Sequence, residues 1–270
     1  MIKNWAVTGD THADFTRFKN YDKEFQKSDE NAVIILGDAG LNWTLDEHDA
    51  QLKNFLTKRY GFYIYCLRGN HEARPTAVKG MELIYDENVH GEVYIQPKWP
   101  RIRYFKDYGM YIINGYSVAV IGGAYSVDKW YRLDRGAIWF EDEQLSLNER
   151  TECYNMLSDH WFDFVFSHTC PIQWEPRDLF LPSIDQQKVD KTMEVFLSAL
   201  EQRIMYKVWL FGHYHDDRLV RPHVEMFYTD TENVDDIWNR WVRYDKAGEL
   251  DWWLTKDSLF YIDQEVNNEN

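Results

Sequence analysis

The run Ala32-Val33-Ile34-Ile35-Leu36-Gly37-Asp38-Ala39-Gly40 decides the fold. Five consecutive apolar residues, three of them β-branched, show no polar alternation, which is the signature of a strand buried on both faces. Gly37 then permits a tight turn and Asp38 follows it at once. A second run of this type, Asn4 to Gly9, ends in Asp10-Thr11-His12, and a third, Phe62 to Arg68, ends in Gly69-Asn70-His71-Glu72. Between them lie a polar helix expected over Asp14 to Lys27 and another over roughly Leu45 to Arg59. A β-α-β-α-β order of this kind implies parallel strands joined by right-handed crossovers.

Further along, Met110 to Ile113 and Ser117 to Ile121 flank Asn114-Gly115, the strongest short hairpin signal. A helix is expected near Asp142 to Leu157, a strand over Phe162 to Phe166, a helix over Asp185 to Gln202 and a strand over Val208 to Phe211. Strand-like pieces follow around Met226 to Thr229, Trp241 to Tyr244 and Trp252 to Thr255, with Lys246 to Glu249 as the turn between the last two. With no linker or repeat in view, residues 1–270 read as one α/β domain (α+β in its later part). The expected architecture is a four-layer α/β/β/α sandwich of two mixed sheets flanked by helices. Its motif-bearing core runs over 1–220, and strands within 221–263 complete the second sheet.

The hydrophobic share of 44% and aromatic share of 17% exclude a disordered chain. A formal net charge of −15 repels polyanions at long range, so nonspecific nucleic-acid binding and attachment to anionic membrane are not expected. A small phosphorylated ligand remains compatible, because local metal charge outweighs the global field. No run of apolar residues is long enough to span a bilayer. Cys66, Cys153 and Cys170 lack paired spacing, and no secretory core follows Met1, so a reducing cytoplasm is the expected setting.

What recurs at the strand ends is chemistry. Asp10 and His12 close the first strand, Asp38 the second, Asn70 the third, His168 a later one, and His213 with His215 the last. In open α/β sheets ligands bind just beyond the carboxyl ends of strands. Carboxylate, imidazole and amide oxygen suit Mn²⁺, Fe²⁺, Zn²⁺ or Mg²⁺. Asp-x-His and His-x-His spacing lets two donors on an extended segment point the same way. Singly, Asp10 and Asp38 read as helix caps, Asn70 as a turn residue and His213 and His215 as a polar rim. None of these readings explains the repetition at consecutive strand ends.

The series Gly9-Asp10-Thr11-His12, Gly37-Asp38, Gly69-Asn70-His71-Glu72, His168 and Gly212-His213-Tyr214-His215 resembles the calcineurin-like metallophosphoesterases. The resemblance implies Asp10, His12 and His215 on one divalent ion, Asn70, His168 and His213 on a second, and Asp38 bridging both. It implies Mn²⁺ first, with Fe, Zn or Mg as alternatives, and hydrolysis of a phosphate ester by a metal-bridging hydroxide in line with the leaving oxygen. His71 would protonate or stabilise that oxygen. Protein serine/threonine phosphatases continue the second motif with an Asp and an Arg, whereas this chain continues Ala39-Gly40-Leu41-Asn42. The carboxylate that would orient His71 and the phosphate-binding arginine are both missing from that motif.

The stretch Gly122 to Arg132 reads as a loop, with Tyr125, Lys129, Arg132 and Arg135 as candidates to grip a phosphate or a base. The alternative is a surface loop with aromatic packing. Trp174 and Arg177 are candidates for a rim or lid, Cys170 reads as a buried thiol, and His48, His90, His160 and His223 as ordinary residues. Trp238, Trp241, Trp252 and Trp253 read as sheet packing. The expected function is phosphomonoesterase or phosphodiesterase action on a small-molecule or peptide-borne phosphate. The alternatives are a nucleotide or dinucleoside polyphosphate hydrolase, marked by an aromatic slot at Tyr125 or Trp130, and a metal-binding scaffold without catalysis.

Overall fold

The apolar runs become strands where they were expected, and their registers place the polar residues that follow them. The computed structural model describes residues 1–247. Strands β1 (Asn4–Thr8), β2 (Asn31–Ile35) and β3 (Tyr63–Cys66) are parallel neighbours, with α1 (Lys23–Lys27) and α2 (Glu47–Arg59) in the crossovers. The first crossover helix is shorter than expected. Asp22 accepts the Phe25 N–H at 2.8 Å and starts a separate helix, while residues Thr16–Asn20 form only a 3₁₀ turn.

The first sheet continues through β4 (Glu82–Asp86), β5 (Gly91–Ile95) and β6 (Ile102–Phe105), and gains β13 (Thr231–Asn233) at its other edge. Its order is β13-β1-β2-β3-β6-β5-β4. The second sheet has the order β11-β12-β10-β9-β8-β7. It holds β7 (Tyr108–Ile113), β8 (Tyr116–Ile121), β9 (Trp161–Ser167), β10 (Met205–Phe211), β11 (Arg218–Arg221) and β12 (Val224–Met226). The β7–β8 hairpin turns on Asn114 and Gly115 with φ of 53° and 83°, the left-handed pair that such a turn requires. Helices α4 (Leu147–Leu157) and α5 (Thr192–Glu201) belong to the second sheet's layer, α4 opened by a capping box of Ser146 and Glu149. The expected start of α5 at Asp185 is displaced because Asp185 caps a single 3₁₀ turn, Gln186–Lys188.

Both sheets are mixed, and each has its own outer core. On the first, Val33, Ile35, Ile64 and Cys66 pack with Leu56, Phe62 and Phe18. On the second, Ile121, Val165, Trp209 and Phe211 pack with Cys153, Leu157, Met193 and Leu197. The alternate residues, among them Trp5, Val7, Ile34, Tyr65, Val118, Val120, Phe164, Phe166, Val208 and Leu210, point to the opposite faces and are equally buried. The two sheets bury these faces against each other. A ring contact of 4.8 Å between Phe105 of β6 and Tyr111 of β7 crosses from one sheet to the other. The layers are therefore α/β/β/α.

The tail departs from expectation. Among the described residues only β11 and β12 extend the second sheet, while β13 pairs antiparallel with β1 in the first. Residues from Met1 to Asn233 form one compact unit and Val234 opens another, whose described part is the helix α6 (Val234–Ala247). The expected strand at Trp241–Tyr244 lies inside α6. Val234, Ile237, Trp241 and Tyr244 recur every three to four residues, a helical period rather than the two of a strand. The expected turn at Lys246 begins in the same helix, and the strand at Trp252–Thr255 lies outside the described residues. Among the described residues no helix is long and apolar enough to cross a membrane.

Ile34 sits fully buried in a central strand with parallel partners on both sides. Ile34→Ala is expected to lower stability by about 2–5 kcal/mol, read as a lower midpoint in urea unfolding.

Candidate metal centre

Five turns meet at the carboxyl ends of β1, β2, β3, β9 and β10, and they carry all seven donors expected from the sequence. Four of these residues hold left-handed backbone: His12 (φ 43°), Asp38 (48°), His213 (72°) and His215 (58°). Each such residue costs on the order of 1–3 kcal/mol and persists only where its surroundings enforce it. Here the turns enforce one another. The amides of Thr11 and His12 donate to the Asp38 carbonyl at 3.2 and 2.8 Å, and that of Gly212 to the His168 carbonyl at 3.0 Å. The Arg17 guanidinium donates to the carbonyls of Asp10 and Tyr228 and to the Thr8 hydroxyl. Glu72 accepts from the amides of Ala39 (3.0 Å) and Gly69 (3.4 Å), and burial, with Asp38 nearby, pushes its carboxyl up to about 7.

Asp10 and Asp38 are both buried, and each divides its oxygens in the same way. Oδ1 of Asp10 accepts the His213 amide at 2.9 Å, and Oδ1 of Asp38 accepts the His71 amide at 2.8 Å. The second oxygens face the cluster. Asp10 Oδ2 lies 3.3 Å from His215 Nε2 and 3.7 Å from His12 Nε2, and makes no well-formed hydrogen bond among the described residues. Asp38 Oδ2 lies 3.6 Å from His168 Nε2 and 3.9 Å from His71 Nε2. Burial opposes the ionisation of Asp38, but His168 and His71 outweigh it and hold the carboxyl well below its ordinary value. Burial likewise opposes the charge on His168, and Asp38 and Asp10 lift that imidazole to about 9.

Two groups of donors result, Asp10-His12-His215 and Asp10-Asp38-His168, each with ligand atoms within 4.8 Å of one another. Asp10 belongs to both. The chemistry of these groups calls for a cation. His12 and His215 point Nε2 at Nε2 across 2.8 Å. His168 donates from Nδ1 to the Leu36 carbonyl at 2.8 Å and, while its ring is charged, from Nε2 to Asn70 Oδ1 at 2.9 Å; a cation that displaced the Nε2 proton would find both of those atoms turned toward it. His213 joins neither group among the described residues. Its ring stands 5.0 Å from that of His168, and burial, reinforced by His168, pushes it down to about 3.

His71 lies at the mouth of the cluster, stacked on Trp43 with ring centroids 5.9 Å apart. Over Trp43, 5.3 Å from the ring centre, sits the Arg132 guanidinium, held by Asp128 at 2.7 Å. Arg132 is thus the expected substrate residue that the fold brings beside His71. Lys129 lies over Trp139 at 4.1 Å, and Tyr125 is buried. The expected loop is found over residues 122–128, but its end, from Lys129, belongs to α3 (Lys129–Arg135), stopped by Gly136 at φ 63°. Arg135 stacks on Tyr131. Trp174 is no lid: it is buried edge-on against Trp209, 5.1 Å away, in the second sheet's core. Cys170 is buried and free, as are Cys66 and Cys153. The residues that sequence reasoning missed are Trp43, Arg17, Ser126 and Glu143, whose neighbours are distant in the chain.

The sequence model described as calcineurin-like phosphoesterase matches residues 4–217. No curated protein matches the chain significantly. Among solved structures, the chain is similar to a phosphopantetheinyl hydrolase from Mycobacterium tuberculosis, with 11% identity and a TM-score of 0.41 over 88% of this chain and 92% of that one. A likeness at that level says nothing about substrate.

The glycines before the donors leave no room for a side chain. A Cβ on Gly37, at φ +106°, would meet the His168 ring at 2.0 Å, whereas one on Gly80, at φ +76°, would meet nothing within 4 Å. Gly80→Ala is therefore expected to show the backbone cost alone, about 1–3 kcal/mol. Gly37→Ala should lose more stability and also weaken Mn²⁺ uptake, read by thermal unfolding and calorimetric titration of metal-stripped protein. Equal losses for the two variants would refute the contact.

Proposed function

Because the chain belongs to the calcineurin-like phosphoesterase family, and so is a metal-dependent phosphoric ester hydrolase, we propose that it acts on phosphomonoesters or phosphodiesters of small molecules or peptides. The observation that carries this reading is the pair of carboxylate–imidazole donor groups joined through the buried Asp10, Asp10-His12-His215 and Asp10-Asp38-His168. Asp10, His12 and His215 would hold one divalent ion, and Asn70, His168 and His213 the other. Asp38, with Oδ2 facing the cluster 3.6 Å from His168 Nε2, is the proposed shared carboxylate. Mn²⁺ is the proposed metal, since carboxylate, imidazole and amide donors without thiolate suit it. Two such ions acidify water and neutralise charge on phosphoryl oxygens.

The chain's own groups do the rest. His71 holds a proton at Nε2 for the leaving oxygen, its backbone clamped by Asp38 and its ring braced on Trp43. Trp43 thereby supplies by stacking the orientation that the second motif lacks a carboxylate to supply. Arg132, whose guanidinium lies over Trp43, is the proposed phosphate grip. An acidic chain with a cationic centre favours a compact substrate over a long polyanion. The nucleotide reading draws on one observation, the exposed ring of Trp130, since Tyr125 is buried. Three free, buried cysteines fit a reducing, cytoplasmic setting.

Metal-stripped protein is expected to be inactive on p-nitrophenyl phosphate and bis-p-nitrophenyl phosphate and to regain turnover with Mn²⁺, with Asp38→Asn abolishing it. The preferred ester separates monoesterase from diesterase, and parallel assays on adenine nucleotides test the second reading. No turnover by folded, Mn²⁺-loaded protein on any of these would favour a binding scaffold. For a general acid, His71→Asn should lower turnover of an alkyl phosphate by about 10²–10⁴. The loss on p-nitrophenyl phosphate should be much smaller, because its leaving group is weakly basic. Equal losses on both esters would remove His71 from that role.

A further inference from the structure

Asn70 is useful to a cation only if its amide presents oxygen rather than nitrogen, and a planar amide fits its slot either way round. Something must choose. Asn70 Nδ2 donates to Ser126 Oγ at 2.9 Å, and Ser126 Oγ donates its own hydrogen to Glu143 Oε2 at 2.5 Å. Glu143 receives two more donors, the Ser126 amide on Oε1 at 3.1 Å and the Trp139 indole on Oε2 at 2.8 Å. All three side chains, Asn70, Ser126 and Glu143, are buried.

The directions of these bonds follow from one another. An ionised carboxylate can only accept, so the single hydroxyl hydrogen of Ser126 is committed to Glu143. The hydroxyl then offers only lone pairs to Asn70, which must answer with its NH₂ group. The amide oxygen is left on the inner side, 2.9 Å from His168 Nε2. We propose that Glu143 and Ser126 are positioning residues that set the polarity of the Asn70 amide and so make the second metal position. The inference rests on Asn70 being a ligand. Neither residue lies in a strand-end motif, and Ser126 and Glu143 sit 56 and 73 positions from Asn70 in the chain.

A carboxylate at position 70 would have oxygen on both sides and would need no such choice. This gives a test that separates orientation from packing. Mn²⁺ is titrated calorimetrically into the metal-stripped full chain, with electron paramagnetic resonance to distinguish coupled ion pairs from single ions and circular dichroism to verify folding. The wild type should take up two ions. Ser126→Ala should weaken the second step by about 10- to 100-fold while leaving the first unchanged. Glu143→Gln, which keeps one accepting oxygen and puts a donating NH₂ in place of the other, should impair the same step. Adding Asn70→Asp to Ser126→Ala should recover the second ion and the coupled signal. Wild-type uptake of two ions by both single variants would overturn the relay, and failure of Asn70→Asp to recover the loss would reduce Ser126 to packing. Absence of a second ion in the wild type would instead remove the premise, and with it the reading of Asn70.

Discussion

Asp10 and Asp38 each give one carboxylate oxygen to the backbone amide of a distant turn and the other to the middle of the cluster. Two buried carboxylates this close would ordinarily be driven toward neutrality, because burial penalises charge and each repels the other. What keeps them ionised is the ring of imidazoles, His168 foremost. The positive-φ backbone at His12, Asp38, His213 and His215 adds strain to the same region. Both terms weaken this part of a well-packed domain, and the electrostatic one is relieved by a cation bound there. Ligand binding and folding stability are coupled for that reason, by the ordinary linkage of a site that exists only in the folded state.

The clamp also explains why the glycines stand where they do. Gly69 and Gly212 lie against the carboxylates themselves: a Cβ on either would come within 2.0 Å of Asp38 Oδ1 or 2.4 Å of Asp10 Oδ1. The aspartates therefore reach across to the turn after another strand, and the turn they reach has no side chain in the way. A strand end carrying Gly-Asp or Gly-His is half of a contact whose other half is a different strand end. Five weak motifs then behave as one strong signal, because each is the packing partner of the next.

That reciprocity decides what was legible. β1, β2, β3, β9 and β10 each carry an apolar run toward their carboxyl ends because both faces are covered there, and the polar residues beyond each run mark the site. The β4–β6 segment was not legible. Leu83 and Tyr85 are exposed at the sheet edge, so no hydrophobic period survives there. In α6 the aromatic residues suggested a strand until their spacing was taken at three to four rather than two. Ser126, Glu143 and Trp43 act through contacts between elements far apart in sequence, and a hydrogen bond over such separations leaves no periodic trace. Lys129 and Arg132 look interchangeable as cations, yet one is spent on Trp139 and only the other stands over Trp43.

The distribution of charge gives the remaining constraint on what reaches the centre. The chain carries 45 acidic and 30 basic residues, but α3 carries Lys129, Arg132 and Arg135 within seven residues. None of its residues is buried, and Trp130 and Tyr131 are about two-thirds exposed. A cationic, aromatic helix tied to His71 through Arg132 and Trp43 is a local exception to an acidic surface. At physiological ionic strength the field of the whole chain fades within about 8 Å, whereas a partly buried arginine is screened far less. A substrate with one compact phosphate feels mainly α3 and the cluster once it is close. A long polyanion must also lie along the acidic surface beyond them. For the proposed reaction, the placement of these cations on α3 would favour a compact phosphate over a long polyanion without any need for a wall around the centre.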